Sequence, residues 1–193
     1  MSHKISGRVA VRALSAGLGL SLAAATLAVA APANAVLVQV QILATNDFHG
    51  RLLPESGGVA GAAVLAGAVK QLEAGNPNTV FAAAGDLIGA STFDSFIDRD
   101  KPTIDALNEA DLDVSAVGNH ELDQGYGDLV NRVIPDFDPT TNPQGGANWE
   151  YIAANLRLKS NNTHAVAPTY MQTVGGIDVG FVGAVTEHLP ELV

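Results

Sequence analysis

The 193-residue chain carries 10 Lys and Arg against 20 Asp and Glu, a formal charge of -10 at pH 7. So acidic a surface excludes nucleic-acid backbones and anionic lipid as partners, because both repel it. With no Cys, a disulfide scaffold, a thiolate zinc site and a cysteine nucleophile are excluded as well.

The chain begins with a leader. Lys4, Arg8 and Arg12 make a basic head, Ala13 to Ala31 is apolar and uncharged, and Pro32-Ala33-Asn34-Ala35 closes the segment. Small residues at 33 and 35 fit signal-peptidase cleavage after Ala35. Residues 1–35 are therefore expected to be a signal peptide, and residues 36–193 a protein secreted from the cell or held in its envelope. A membrane anchor needs a similar apolar run, but the small-residue ending and the Gly, Ser and Thr within the run favour cleavage. Loss of the three basic residues takes the formal charge from -10 to -13. No later apolar segment is long enough to span a bilayer, and the remaining length suffices for one domain with a real core.

Strand and helix patterns then alternate. Val36 to Ala44 reads as a strand with Val38, Val40 and Ile42 on one face. Gly57-Gly58 opens a helical segment in which Leu65, Val69 and Leu72 recur, closed by Gly75 and Pro77. Thr79 to Ala84 is a short buried strand ending at Gly85-Asp86. Pro102 stands near the start of a second helix whose Ile104, Leu107 and Ala110 face inward. Asp113 to Val117 is the next strand, and Leu129, Val130, Val133 and Ile134 mark a third helix. From Pro135 to Trp149 the composition turns to Pro, Gly, Asn and Thr, a long loop. Its Asp136, Asp138 and Thr140 mimic the start of a calcium loop, but Thr141 replaces the required Gly and no Glu closes it. Tyr151 to Asn155 and Ile177 to Val185 are the last strands. This alternation predicts an α/β layered domain.

Three strand ends deliver hard metal ligands: Asp47 and His49 after the first, Asp86 after the second, Asn119, His120 and Asp123 after the third. Ligands of open α/β sheets bind beyond the carboxyl ends of the strands. Asp47 and His49 are two apart, so in extended backbone both point the same way, and a carboxylate with an imidazole suits Zn, Mn or Fe better than Ca. Asp86 follows a Gly that permits a sharp turn, and its two oxygens can bridge two ions. Asn119 offers a neutral amide oxygen, His120 is placed to touch a substrate, and Asp123 is close enough to orient the His120 ring. Each piece alone has a blander reading as a turn, a cap or a chance pair. Three in order, each after an apolar strand, are not explained that way.

The segments Thr45-Asn46-Asp47-Phe48-His49-Gly50, Ala84-Gly85-Asp86-Leu87-Ile88-Gly89 and Ala116-Val117-Gly118-Asn119-His120-Glu121-Leu122-Asp123 resemble the calcineurin-like metallophosphoesterases, in particular their 5′-nucleotidase and UDP-sugar hydrolase branch. Phe181-Val182-Gly183-Ala184-Val185-Thr186 resembles a further strand of that branch, so the likeness runs from about Val38 to the end. It implies a four-layer αββα sandwich and two divalent ions of the Zn, Mn or Fe kind. The first would be bound by Asp47 and His49, Asp86 would bridge, and Asn119 would hold the second. Asn119 and His120 would meet the substrate, and His120 with Asp123 would form the catalytic dyad. The implied reaction is attack of a metal-activated water on a nucleotide phosphate.

The family completes its site with further histidines from Gly-His motifs and adds a C-terminal nucleotide-binding domain. Neither is found before Val193, and His164 and His188 lack the Gly-His setting. The expectation is therefore the N-terminal part of such a domain, a fragment or truncated gene product with the second metal site incomplete, which alone would bind one metal weakly and hydrolyse little. The alternatives are a non-catalytic secreted metal-binding module and a purely structural domain whose Asp and His residues serve as caps and turns.

Overall fold

Four short strands rich in Val, Ile and Ala lie side by side in chain order: β1 (Gln41–Thr45), β2 (Thr79–Ala83), β3 (Val114–Ala116) and β4 (Glu150–Ile152), every pair parallel. The computed structural model describes residues 37–192; the signal-peptide reading of residues 1–35 lies outside them. Among the described residues no helix is long and apolar enough to cross a membrane.

Parallel neighbours require crossovers. Right-handed crossovers that always step in the same direction set their helices on one face of the sheet. Helices α1 (Ala62–Gly75) and α3 (Lys101–Glu109) accordingly pack against each other. Val69 of α1 and Ile104 and Leu107 of α3 join Phe81 of β2 and Tyr151 of β4 in one core cluster. Pro102 stands in the first turn of α3, where its missing N–H breaks no helical bond. Between β2 and α3 lies a one-turn helix, α2 (Phe93–Phe96), which periodicity does not reveal.

Three details depart from the sequence reading. β1 starts only at Gln41, and Ile42 is 52% exposed, while Leu43 on the opposite face packs against the core. Strand propensity identified the segment but not which face meets the helices. The third helix is one turn, α4 (Tyr126–Asp128), running into a wider π-helical turn over Leu129–Val133. That turn accompanies a buried Arg132, whose guanidinium donates to Asp128 and to the carbonyls of Arg99 and Gln144.

The third departure is an additional strand. β5 (Thr169–Val174) pairs antiparallel with β6 (Ile177–Val182) through Gly175-Gly176, whose φ values are 58° and 78°. A two-residue hairpin loop of this kind needs positive φ at both positions, and Gly-Gly supplies it. The ribbon packs on β2 and β4. A cavity of about 340 Å³ lined by Ala82, Val114, Ile152 and Phe181 separates the two sheets. Helices, parallel sheet and ribbon are three layers of the expected αββα sandwich among the described residues.

Candidate metal centre

Register brings the strand tips level. Thr45 pairs with Ala83, and Ala83 with Ser115. Asp47 and His49 lie just beyond the first, Asp86 beyond the second, Asn119 and His120 beyond the third, all on the carboxyl edge of the sheet.

A carboxylate oxygen of Asp47, one of Asp86 and a ring nitrogen of His49 all lie within 4.8 Å of one another. His49 Nδ1 stands 2.8 Å from the Gly89 carbonyl oxygen. A carbonyl only accepts, so Nδ1 carries the proton and Nε2 keeps its lone pair. That Nε2 lies 3.9 Å from Asp47 Oδ1. Two carboxylates and an imidazole lone pair facing a common point fit a divalent ion of the Zn, Mn or Fe kind.

The backbone is bent to achieve this. Asp47, His49 and Asp86 have φ of 51°, 46° and 54°. This is the left-handed region that Asp and His tolerate better than most residues, at a cost of about 1 kcal/mol or more each. Gly85, at φ 100°, and Gly118 lie against each other: a Cβ on Gly85 would come within 2.6 Å of the Gly118 nitrogen, and one on Gly118 within 2.2 Å of Asp86 Oδ1. These glycines let the second and third tips touch.

The segment 85–90 is gripped from two sides. Its carbonyls accept from the first tip: Gly85 from the Asp47 N–H, Asp86 from the His49 N–H and Leu87 from the Gly50 N–H. Its N–H groups donate to carboxylates. Asp86 and Leu87 donate to Glu121 at 2.9 and 2.8 Å, Gly89 to Asp100 at 3.2 Å and Ala90 to Asp123 at 3.0 Å. Glu121 also accepts from the Gly118 N–H at 2.7 Å. Burial pushes the Glu121 carboxyl up to about 7, aided by the Asp86 charge and opposed by these three backbone donors. Sequence reasoning assigned no role to Glu121 or Asp100. An acid between His120 and Leu122 inside the third motif was a usable signal for Glu121, whereas nothing local marked Asp100.

His120 Nδ1 lies 3.0 Å from Asp123 Oδ2, and the His120 N–H donates to Asp86 Oδ1 at 2.9 Å. Partial burial disfavours the charged ring, but the hydrogen bond and charge of Asp123, with Asp86 and Glu121 behind it, raise the His120 pKa above its ordinary value. The His120 ring meets the His49 ring edge to face at 5.0 Å between centroids, so the dyad adjoins the Asp47–His49–Asp86 group. It also faces a cavity of about 430 Å³ lined with Asp100, Glu121, Gln124 and Phe96. Asn119 is half-buried at the end of β3, and its carbonyl accepts from the Leu122 N–H in the turn that carries His120. His164 and His188 are exposed loop residues beside Arg157 and Glu191.

No family model matches the chain. Over 163 residues it is 36% identical to a protein of Acinetobacter calcoaceticus known as the uncharacterized protein in the pqq-V 5′ region, covering 72% of this chain and 80% of that one. Over 170 residues it is 28% identical to the snake venom 5′-nucleotidase of Gloydius brevicauda, covering 80% of this chain and 26% of the nucleotidase. Its fold matches the crystal structure of the 5′-nucleotidase precursor from Thermus thermophilus with a TM-score of 0.64 at 25% identity, over 78% of this chain and 29% of that one. The chain thus spans 80% of the first relative but under a third of either nucleotidase.

Proposed function

Because the chain belongs to the 5′-nucleotidase branch of the calcineurin-like metallophosphoesterases, a family of hydrolases, we propose that it is an exported hydrolase of nucleotide phosphate esters that works with divalent metal. Asp47, His49 and Asp86 would hold one ion, and Asp86 with Asn119 a second, of Zn, Mn or Fe. Bound there, such ions would supply a water of lowered pKa and positive charge for the phosphate. The protein's own residues do the rest. Asp86 is held by the His120 N–H so that its second oxygen remains available. Asn119 adds an acceptor without adding negative charge, which favours entry of an anion. His120, raised in pKa beside Asp123, would meet the ester and give a proton to the departing oxygen. The leader-like composition of residues 1–35 and the likeness to a venom enzyme support action outside the cell.

The observation that carries this reading is the approach of the three tips: three ligand atoms within 4.8 Å, and a His–Asp pair one ring contact away. The test is phosphate release from AMP by the purified chain with Mn²⁺, beside Asp86→Ala and His120→Ala. Metal-dependent release that both substitutions abolish is expected. A second reading, a metal-binding module without catalysis, is favoured by one feature. Among the described residues a single group of three His, Asp or Glu side chains gathers in this way. Stoichiometric Mn²⁺ binding without phosphate release would select it, and absence of Mn²⁺ binding would end both.

A further inference from the structure

We propose that Asp100 is a positioning residue for His49, acting through the backbone of Gly89 opposite the hold of Asp123, and fixed in turn by Ser95 and Thr103. The inference rests on the metal-site reading above and extends it to a residue outside the three strand-end motifs.

Asp100 stands immediately before α3, where an Asp ordinarily turns its carboxylate back onto the first helical N–H groups. Here no side-chain cap is made. The carboxyl group faces the other way: Oδ2 accepts from the Gly89 N–H at 3.2 Å, and Oδ1 accepts from Ser95 Oγ at 2.6 Å. The Ser95 hydroxyl proton is used in that bond, so the Thr103 hydroxyl, 2.6 Å away, donates to Ser95. Ser95 and Thr103 are fully buried, and Asp100 is 8% exposed. The chain adopts φ of 53° at Arg99 and 63° at Asp100 to place this group. Two successive non-glycine residues in the left-handed region are costly, and such strain persists where surrounding structure enforces it. A helix cap has been given up and strain accepted to orient one carboxyl group at one peptide.

Gly89 matters because of its carbonyl, which belongs to the next peptide group, the one whose Ala90 N–H donates to Asp123 at 3.0 Å. Asp100 and Asp123 thus hold the two peptide groups on either side of the Gly89 Cα. The Gly89 carbonyl fixes the proton of His49 on Nδ1 and thereby leaves Nε2 free. The same small helix also holds the backbone after His49. The Thr92 N–H donates to the His49 carbonyl at 3.0 Å, and Gly50 lies so close that a Cβ would come within 2.5 Å of Ser95 Cβ. Asp100, fixed by Ser95 and Thr103, therefore holds one side of the Gly89 backbone to which the His49 ring is bound, and Asp123 holds the other. The Gly89 carbonyl is the partner one step behind the ligand, and loss of such a partner typically alters metal affinity by about 10–100-fold. Asp100, a step further back, should be worth about 10-fold, the lower end of that range.

The test uses the full chain with ¹⁵N-labelled histidine, without metal, at about pH 8, where an imidazole is neutral. Two-bond proton–nitrogen correlations report which His49 nitrogen is protonated, and Mn²⁺ titration gives the affinity. The native chain should show the Nδ1-protonated form. Asp100→Ala should show mixed tautomers and a Kd for Mn²⁺ raised by about 10-fold. Asp100→Asn, whose amide oxygen can still accept from Gly89, should return the affinity to within a few-fold of the native value. An unchanged His49 signature and affinity in Asp100→Ala would overturn the proposal. If that variant does not fold, Ser95→Ala is judged by the same two readouts. AMP hydrolysis is not among them, so an inactive chain with a shifted tautomer would sink the phosphoesterase reading and leave this one standing.

Discussion

The parallel sheet and the β5–β6 ribbon are built by opposite rules. At β2 and β3 the parallel sheet is buried on both faces. Phe81 of β2 packs in the core cluster with Val69 of α1 and Ile104 and Leu107 of α3, and the buried Val114 of β3 lines the cavity toward the ribbon. The ribbon alternates along both strands between half-buried and exposed positions, with Met171 63% and Val182 73% exposed. Every candidate ligand projects from the covered half, and the ribbon contributes none. A site that demands left-handed backbone at three ligand positions needs a rigid base, and the helix-backed sheet provides one.

The largest effect that could break this contrast is a cavity beneath the site. Phe81 is 1% exposed in the middle of the core, so Phe81→Ala should cost about 3–5 kcal/mol in urea unfolding. A loss near 1 kcal/mol would mean that the covered half is loosely packed after all. Next comes the carboxylate clamp. Glu121→Ala would leave the N–H groups of Asp86, Leu87 and Gly118 without their acceptor. Buried donors so stranded cost about 1–3 kcal/mol apiece, not fully additively, so about 3 kcal/mol is expected. The same substitution should also abolish Mn²⁺ binding, because it frees both the second and third tips. Retained binding would show that the tips converge without Glu121.

A smaller effect sharpens the contrast further. An ion that binds only the folded state should stabilise the native chain by about 2.7 kcal/mol at a Mn²⁺ concentration of 100 times Kd. It should give no stabilisation in Asp86→Ala, which removes a member of the Asp47–His49–Asp86 group. An equal rise in both proteins would place the ion on the acidic surface and away from the strand tips.

What could be read in advance follows the same division. The strand-end motifs, the crossover helices and the core positions Val69, Ile104 and Leu107 were legible, because parallel strands and amphipathic helices write their burial into short, strongly patterned runs. The inner face of β1 was not legible, since β-branched residues at 38, 40 and 42 mark a strand without marking its inner side. β5 was overlooked, although Gly175-Gly176 before Ile177 is a hairpin signal, because Thr169–Val174 mixes polar and apolar residues with little contrast. Asp100 could not be found from sequence at all. Its partner Gly89 lies eleven residues away, and the meaning of the contact depends on a carbonyl facing a third segment.

The smallest expected effect is on the ribbon. Val182 pairs with Thr169 at the open end of the hairpin, far from the Gly175-Gly176 turn. Val182→Thr keeps the β-branch and strand propensity and changes only a methyl group for a hydroxyl on a side chain 73% exposed. Water satisfies that hydroxyl in the folded and unfolded chain alike, so stability should move by no more than about 0.5 kcal/mol. A loss above about 1.5 kcal/mol would require the Val182 side chain to be out of water in solution, because a hydroxyl is costly only where it is desolvated without a partner. Sedimentation at two protein concentrations would then identify the cover. If the loss and the sedimentation coefficient both grow with concentration, a second copy covers the ribbon. If the loss is independent of concentration, the chain itself does, and the two halves would no longer differ in the way their burial implies.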